Sequence, residues 1–255
     1  MCLLILAYKC REDYPLIIAA NRDEFYERPT LPLDYWPERK NILAGRDLRG
    51  RGTWMGLGGN GRLAAITNFR DPSRHQPDAP SRGNLVSDYI GGHTAADGYL
   101  ERLSRDGRRY NGFNLVVGRI EALYYYGNHG PQPREIKPGI HGLSNHLLNT
   151  PWPKVERARN AMAEIVRQTH RPDPEALMAL LQDRHMPPDE NLPDTGIDLD
   201  WERLLATAFI QSPTYGTRAS SVLRVAADGS TLFLERTFEP DGRARTRQFR
   251  RQIPV

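Results

Sequence analysis

The sequence predicts an α+β fold, with strands and helices in separate blocks rather than in alternation. Three observations carry this. Strand-like apolar runs cluster near residues 3–20, 53–68, 113–127 and 217–249. Between them lie two pairs of segments with apolar residues at helical spacing, within 81–105 and 154–184. No repeat, linker or shift in composition divides the 255 residues, which read as one domain, 1–255.

Leu3–Tyr8 and Leu16–Ala20 are continuous apolar runs joined by polar residues, the pattern of strands covered on both faces. Residues 29–60 are rich in Pro, Gly and Arg, which argues against a long helix there. Short strands are expected at Thr53–Leu57 and Leu63–Asn68, around the turn Gly58-Gly59-Asn60-Gly61. Leu85, Val86, Tyr89 and Ile90 share one face of a helix over 81–91, with Ser81 placed as its cap and Gly91-Gly92 as its stop. A second helix, over 94–105, carries Tyr99, Leu100 and Leu103, with Thr94 or Asp97 as its cap. Strands follow at Phe113–Gly118 and Ala122–Gly127. Val155, Ala158, Met162, Ile165 and Val166 set a helix over 154–169. Pro172-Asp173-Pro174 opens another over 174–184, and 186–200 read as an acidic, Pro-rich loop. Strands Thr217–Ala226, Thr231–Phe238 and Ala244–Phe249 close the chain, with Asp228-Gly229 and Asp241-Gly242 as hairpin turns.

Hydrophobic residues make up 39% and charged residues 26%, which excludes a disordered chain. No apolar run is long enough to span a membrane. Of the 35 basic residues all but four are Arg, and they interleave with acids, so a nucleic-acid partner is not expected. The one dense run, Arg243, Arg245, Arg247, Arg250 and Arg251, reads as a charge-guarded edge strand, with a phosphate-binding patch as the alternative. Cys2 and Cys10 are too few for a disulfide framework, and MCLLILAYKC lacks the basic start of a signal peptide. A cytoplasmic protein is expected. The seven His show no metal-ligand spacing, and neither a metal nor a cofactor is expected.

Cys2 is the most informative residue. Once Met1 is removed, its thiol and its own α-amine share one Cα, and the amine can serve as general base to the thiol. Alone, Cys2 reads first as a small buried hydrophobe. Asn21-Arg22-Asp23-Glu24 ends the second strand, where a carboxylate can hold an ammonium and a guanidinium can favour thiolate. Asn68, Asn114 and Asn145 fall at strand ends, where a side-chain amide can face a developing oxyanion or simply make a turn. Arg218, in Tyr215-Gly216-Thr217-Arg218-Ala219-Ser220-Ser221, suits a carboxylate or phosphate.

These features fall in one order along the chain: MCLL, NRDE, Ala44-Gly45-Arg46-Asp47, Gly52-Thr53-Trp54, Ile66-Thr67-Asn68, Ser81-Arg82-Gly83, NGFNL, HGLSN, TPWPKV and YGTRASS. Together they closely resemble the NRDE-motif family, also called the transport and Golgi organisation protein 2 family, over nearly the whole chain. The resemblance implies the N-terminal nucleophile hydrolase fold, an αββα sandwich of two facing antiparallel sheets with helices outside. It also implies links to secretory-pathway organisation, haem handling and acyl-CoA or lipid metabolism. A more distant similarity runs to the bile-salt hydrolase and penicillin V acylase group. That similarity implies Cys2 as nucleophile, Asp23 as the carboxylate steadying its amine, and Asn68, Asn145 and Arg218 completing the site. That group has its first Arg three residues before the Asp; here that position is Ala20, and the Arg is Arg22. Neighbours on a strand face opposite ways, so Arg22 is expected to turn away from Cys2 and pair with Glu24 or Asp47. Two functions follow from the resemblance. One is hydrolysis of a small acyl-amide or acyl-thioester; the other is non-catalytic binding of haem or an acyl-CoA-type lipid in the same cleft.

Overall fold

The computed structural model describes residues 2–254; Met1, Val255 and the side chain of Cys2 lie outside the described part. One antiparallel sheet contains β1 (Cys2–Tyr8), β2 (Leu16–Phe25), β10 (Gly139–Leu143), β11 (Tyr215–Val225), β12 (Ser230–Phe238) and β13 (Ala244–Gln252). Its strand order is β10-β1-β2-β11-β12-β13. The other runs in chain order through β3 (Thr30–Trp36), β4 (Arg39–Asp47), β5 (Met55–Gly58), β6 (Leu63–Asn68), β7 (Phe113–Gly118), β8 (Leu123–Gly127) and β9 (Arg134–Glu135). Five α-helices are described: α1 (Gly83–Gly91), α2 (Ala96–Asp106), α3 (Pro153–Gln168), α4 (Pro174–Leu180) and α5 (Leu199–Leu205).

Strand alternation builds the layers. Leu4, Leu6, Leu16 and Ile18 meet Leu43, Leu57, Val116 and Tyr125 between the sheets. Their neighbours Leu3, Ile5, Ile17 and Ala19 pack outward on Val155, Met162, Leu177 and Leu181 of the helical layer. On the far side Ile42, Leu115 and Val117 pack on Val86, Ile90, Leu100 and Leu103. The result is an αββα sandwich. Because β1 and β2 lie inside their sheet, both of their faces are dry, which is why their sequences are continuously apolar.

Four helices fall where the periodicity places them, with ends moved by one or two residues in three of them. The fourth stops at Leu180 rather than near 184: the next two N–H groups, of Leu181 and Gln182, bond three residues back, to Met178 and Ala179, so the last turn tightens and ends. Asp173 caps it by accepting from Glu175 N–H, whereas neither Ser81 nor Thr94 makes a side-chain cap. One feature adds to the sequence reading and one corrects it. Residues 30–47 form β3 and β4, with Pro32 tolerated on the edge strand β3. Residues 199–205, part of the expected loop and its sequel, form α5, capped by Asp198 accepting from Trp201 N–H. β13 is an edge strand, and Arg245 and Arg247 are exposed on it, as charge guarding requires. No described helix is long and apolar enough to cross a membrane.

Candidate functional site

At one end the sheets part around a cleft of about 420 Å³, lined by Arg22, Asp23, Asp47, Trp54, Asn68 and the segment 77–83. The register of β1 with β2 sets main-chain position 2 directly opposite Arg22, one residue from Asp23. The position of Cys2 in the strand is therefore described, but its thiol is not.

Arg22 continues the inter-sheet row of Ile18 and Ala20, and Asp23 the helix-side row of Ile17 and Ala19. The two do face opposite ways, yet both reach the cleft. Arg22 lies 3.5 Å from Asp47 and 3.8 Å from Glu24, the two partners expected for it. Its guanidinium also sits 4.6 Å over the Trp54 ring. One of its nitrogens, Nη1, is buried with no hydrogen-bond partner. Arg22 thus makes both of the pairings expected for it and also lines the cleft.

Asp47 is the anchor of this wall. Its carboxylate accepts from Arg28 Nε at 2.7 Å and from the N–H groups of Arg49 and Gly50 at 3.0 and 2.8 Å. Burial pushes it up, but these donors and Arg22 together hold it below the usual carboxylate range. Gly45 is required by the tryptophan: a Cβ there would stand 2.3 Å from the indole. Gly52 meets Gly83 just as closely, at 2.2 Å for an added Cβ, and so seats the outer segment.

Asp23 is 1% exposed. Thr217 Oγ1 donates to it at 2.7 Å. Burial raises its pKa, and the positive charge of Lys154 and the Thr217 bond oppose that rise without cancelling it. Asn21, beside it, fixes the helical layer: its amide donates to the carbonyls of Leu181 and Ala208, both at 2.8 Å, and its oxygen accepts from Ser220 Oγ at 2.6 Å.

The opposite wall is stitched by amides. Asn145 Nδ2 donates to the Asn68 carbonyl at 2.9 Å, and Arg70 N–H donates to the Asn145 carbonyl at 2.8 Å. Asn145 is fully buried and not in the lining, whereas Asn68 lines the cleft. Asn114 donates to the His146 carbonyl at 2.9 Å and accepts from Tyr125 Oη at 2.7 Å, so it braces this loop from below. Behind, Arg70 and Glu202 form a buried ion pair at 2.5 Å that ties the end of β6 to α5.

Arg218 stands apart. The β2–β11 register shifts between Thr217 and Ala219, leaving Arg218 at a bulge. Its Nη1 donates to the carbonyls of Phe25, Tyr26 and Arg28 at 3.1, 3.0 and 3.2 Å, clamping the turn after β2. It is not among the residues lining the cleft. The structure therefore brings together Arg22, Asp23 and Asn68 beside the start of β1, with Asn145 one layer back and Arg218 outside. Residues the sequence reading left without a role are Arg28, Trp54, Lys154 and the Arg70–Glu202 pair. The motifs around Asp47 and Trp54 and the TPWPKV run carried the signal for the first three, and no local motif marked the Arg70–Glu202 pair.

An αββα sandwich whose first strand opens on the inter-sheet cleft defines a protein of the N-terminal nucleophile hydrolase fold class. A solved structure agrees: the C2A mutant of conjugated bile acid hydrolase from Clostridium perfringens superposes with a TM-score of 0.51 at 8% identity, covering 100% of this chain and 99% of that one. The chain belongs to the Transport and Golgi organisation 2 family, whose model matches residues 1–240. The Transport and Golgi organization 2 homolog of Mus musculus is 35% identical over 257 residues, 93% of each chain. The Drosophila melanogaster Transport and Golgi organization protein 2 is 30% identical, over 88% of this chain and 86% of its own.

Proposed function

We propose that this protein is a cytoplasmic N-terminal-cysteine hydrolase acting on a small acyl-amide or acyl-thioester. The observation that carries the reading is Arg22. It stands opposite position 2 in the strand register, lines the cleft, and keeps a buried N–H donor with no partner. A fixed, dry, unpaired donor beside the nucleophile is what a developing oxyanion requires. The Asn68 amide, across the cleft, is the second candidate donor.

The reaction follows from these groups. With Met1 removed, the Cys2 α-amine takes the thiol proton and the sulfur attacks the acyl carbonyl. Arg22 and Asn68 stabilise the oxyanion. The tetrahedral adduct collapses, and the leaving amine or thiol departs with the proton held by the α-amine. Water, deprotonated by the same amine, then attacks the thioester and frees the acid and Cys2. Asp23, one position from Arg22, holds the ammonium form of the amine in place.

The alternative reading has the same cleft hold haem or an acyl-CoA-type lipid without catalysis, with Cys2 as the cleft's candidate axial ligand to a haem. Mass spectrometry of the purified chain separates the readings. Loss of Met1, with a single adduct from a Cys-directed acyl probe that Cys2→Ala abolishes, is the expected result. Retention of Met1 on an unlabelled chain would overturn the hydrolase and leave a lipid- or haem-type ligand.

A further inference from the structure

At the other end of the six-stranded sheet lies a second cavity, of about 390 Å³. Arg224 reaches it from β11, five residues beyond Ala219, the register partner of the cleft residue Arg22, so it lies about 17 Å from the hydrolase cleft. Arg171, Arg224, Arg250 and Arg251 line it, with Tyr14 and Leu232, and no Asp or Glu is among the described lining residues.

The register explains the convergence. Arg224 pairs with Leu232, and Leu232 with Arg250, so two guanidinium stems flank one leucine on the helix-facing side of three adjacent strands. Their Cα atoms are about 10 Å apart, a span that two long side chains close around one small anion. The helical layer ends here, because α3 stops at Gln168 and α4 starts at Pro174. The connection between them carries Arg171 to the rim.

Edge guarding does not account for Arg224. A guard must be exposed and hydrated on an outer strand. Arg224 is 5% exposed on an interior strand, packed 5.0 Å over the Tyr14 ring. One of its nitrogens donates to the Pro172 carbonyl, and Nε is buried with no partner. Burial lowers its pKa; Tyr14 opposes that, the like charges of Arg171 and Arg250 lower it further, and Asp173 pulls upward least. The surrounding carboxylates are engaged elsewhere. Asp13 holds Arg11 at 2.7 Å, Glu175 holds Arg236 at 2.9 Å, and Asp173 caps α4. Arg251 turns to the inter-sheet face, toward Gly59, which leaves Arg171, Arg224 and Arg250 at one cavity with no ion-paired carboxylate among the described residues, a site for a multiply charged oxyanion, which Arg binds in bidentate fashion.

We propose that this cavity binds the dianionic phosphate of a small phosphomonoester, with Tyr14 and Leu232 as the apolar floor for its organic part. Calorimetry with inorganic phosphate and with phenyl phosphate tests it on the full chain. Both ligands are expected to bind, phenyl phosphate the tighter. Arg171→Gln and Arg250→Gln, each peripheral to the core, are expected to weaken both by about tenfold or more while leaving the unliganded thermal midpoint unchanged. Affinity should rise from about pH 5.5 to 7.5 as the dianion forms, whereas sulfate should show no such rise. Arg22→Met, in the other cleft, should leave phosphate affinity intact. Equal binding of phosphate and phenyl phosphate would assign the site to the free ion. The proposal is overturned if the double variant Arg171→Gln/Arg250→Gln binds as the parent does. It is overturned equally if phosphate raises the midpoint no more than sodium chloride of the same ionic strength.

Discussion

Replacing Arg22 by Met keeps the apolar stem against Trp54 and removes only the guanidinium. The stability cost can be worked from its contacts. Asp47 remains bonded to Arg28 and two main-chain N–H groups, so it is not stranded as a bare buried charge. The loss therefore falls near the roughly 1 kcal/mol of one hydrogen-bonded contact, not the roughly 3–5 kcal/mol of a broken buried pair that leaves its partner bare. The guanidinium's place 4.6 Å over Trp54 adds about 1 kcal/mol. A total of about 2 kcal/mol corresponds to a fall of about 4–8 °C in thermal midpoint for a chain of this size. The acyl-probe labelling rate should fall much further, by about 10²–10³, because an oxyanion donor is lost. Arg22→Lys should recover most of the midpoint but little of the labelling, since a single ammonium cannot reproduce the fork. The assay is a paired one: labelling rate by intact mass and midpoint by calorimetry. Labelling at the parent rate with a lowered midpoint would show Arg22 to be a purely structural cation and would refute the reasoning.

Three further outcomes are expected. Asp23→Asn should slow labelling by about 10²–10⁴ while leaving the midpoint nearly unchanged, because the amide keeps the Thr217 bond and avoids burying a charge; a fall in midpoint without loss of labelling would contradict it. Glu202→Ala should cost about 3–5 kcal/mol in urea unfolding, because it leaves the buried Arg70 guanidinium without its carboxylate; a loss under about 1 kcal/mol would show the pair to be dispensable. Glu235 sits between the sheets, accepting from Leu33 N–H at 2.6 Å, and burial pushes it from 4.5 to about 7. Its folded pKa lies above the unfolded one, so its contribution is full below about pH 4.5 and is lost as pH rises through about 7, some 3 kcal/mol in all. Glu235→Gln should flatten stability across that window and raise the midpoint at about pH 8; a curve parallel to the parent's would exclude Glu235 as the cause.

Reading the sequence located elements whose periodicity the packing enforces. Leu63–Asn68 and Phe113–Gly118 coincide with β6 and β7 because both faces of each are buried. β3 and β4 were hidden because an edge hairpin can carry Pro32 and exposed polar residues, leaving little apolar alternation to read. α5 is seven residues long and is held by tertiary contacts of Trp201 and Leu205 with Ile210 and Tyr215. Its only local signal was Asp198 three residues before Trp201. In the site, Asp23 and Asn68 were legible as polar residues ending apolar strands. The roles of Arg22 and Arg218 were not, because register and a bulge decide them. Alternation alone correctly separates the faces of Arg22 and Asp23, but it cannot show that the sheets part at that end so that both faces open on one cleft.

The strand order of the six-stranded sheet has a consequence for synthesis. Its earliest hairpin, β1–β2, is flanked in the finished sheet by β10 on one side and β11 on the other. Neither partner exists when the hairpin leaves the ribosome. Some 190 residues separate the end of β2 from the start of β11, which at roughly 5–20 residues per second is a delay of about 10–40 s. The β1 edge stays unpaired until β10 is made and the β2 edge until β11 is made, and the two apolar faces are open until the second sheet and α3 emerge. The chain therefore depends on shielding of its first twenty-five residues during translation, and ribosome-proximal chaperones should cross-link there until residue 225 has emerged.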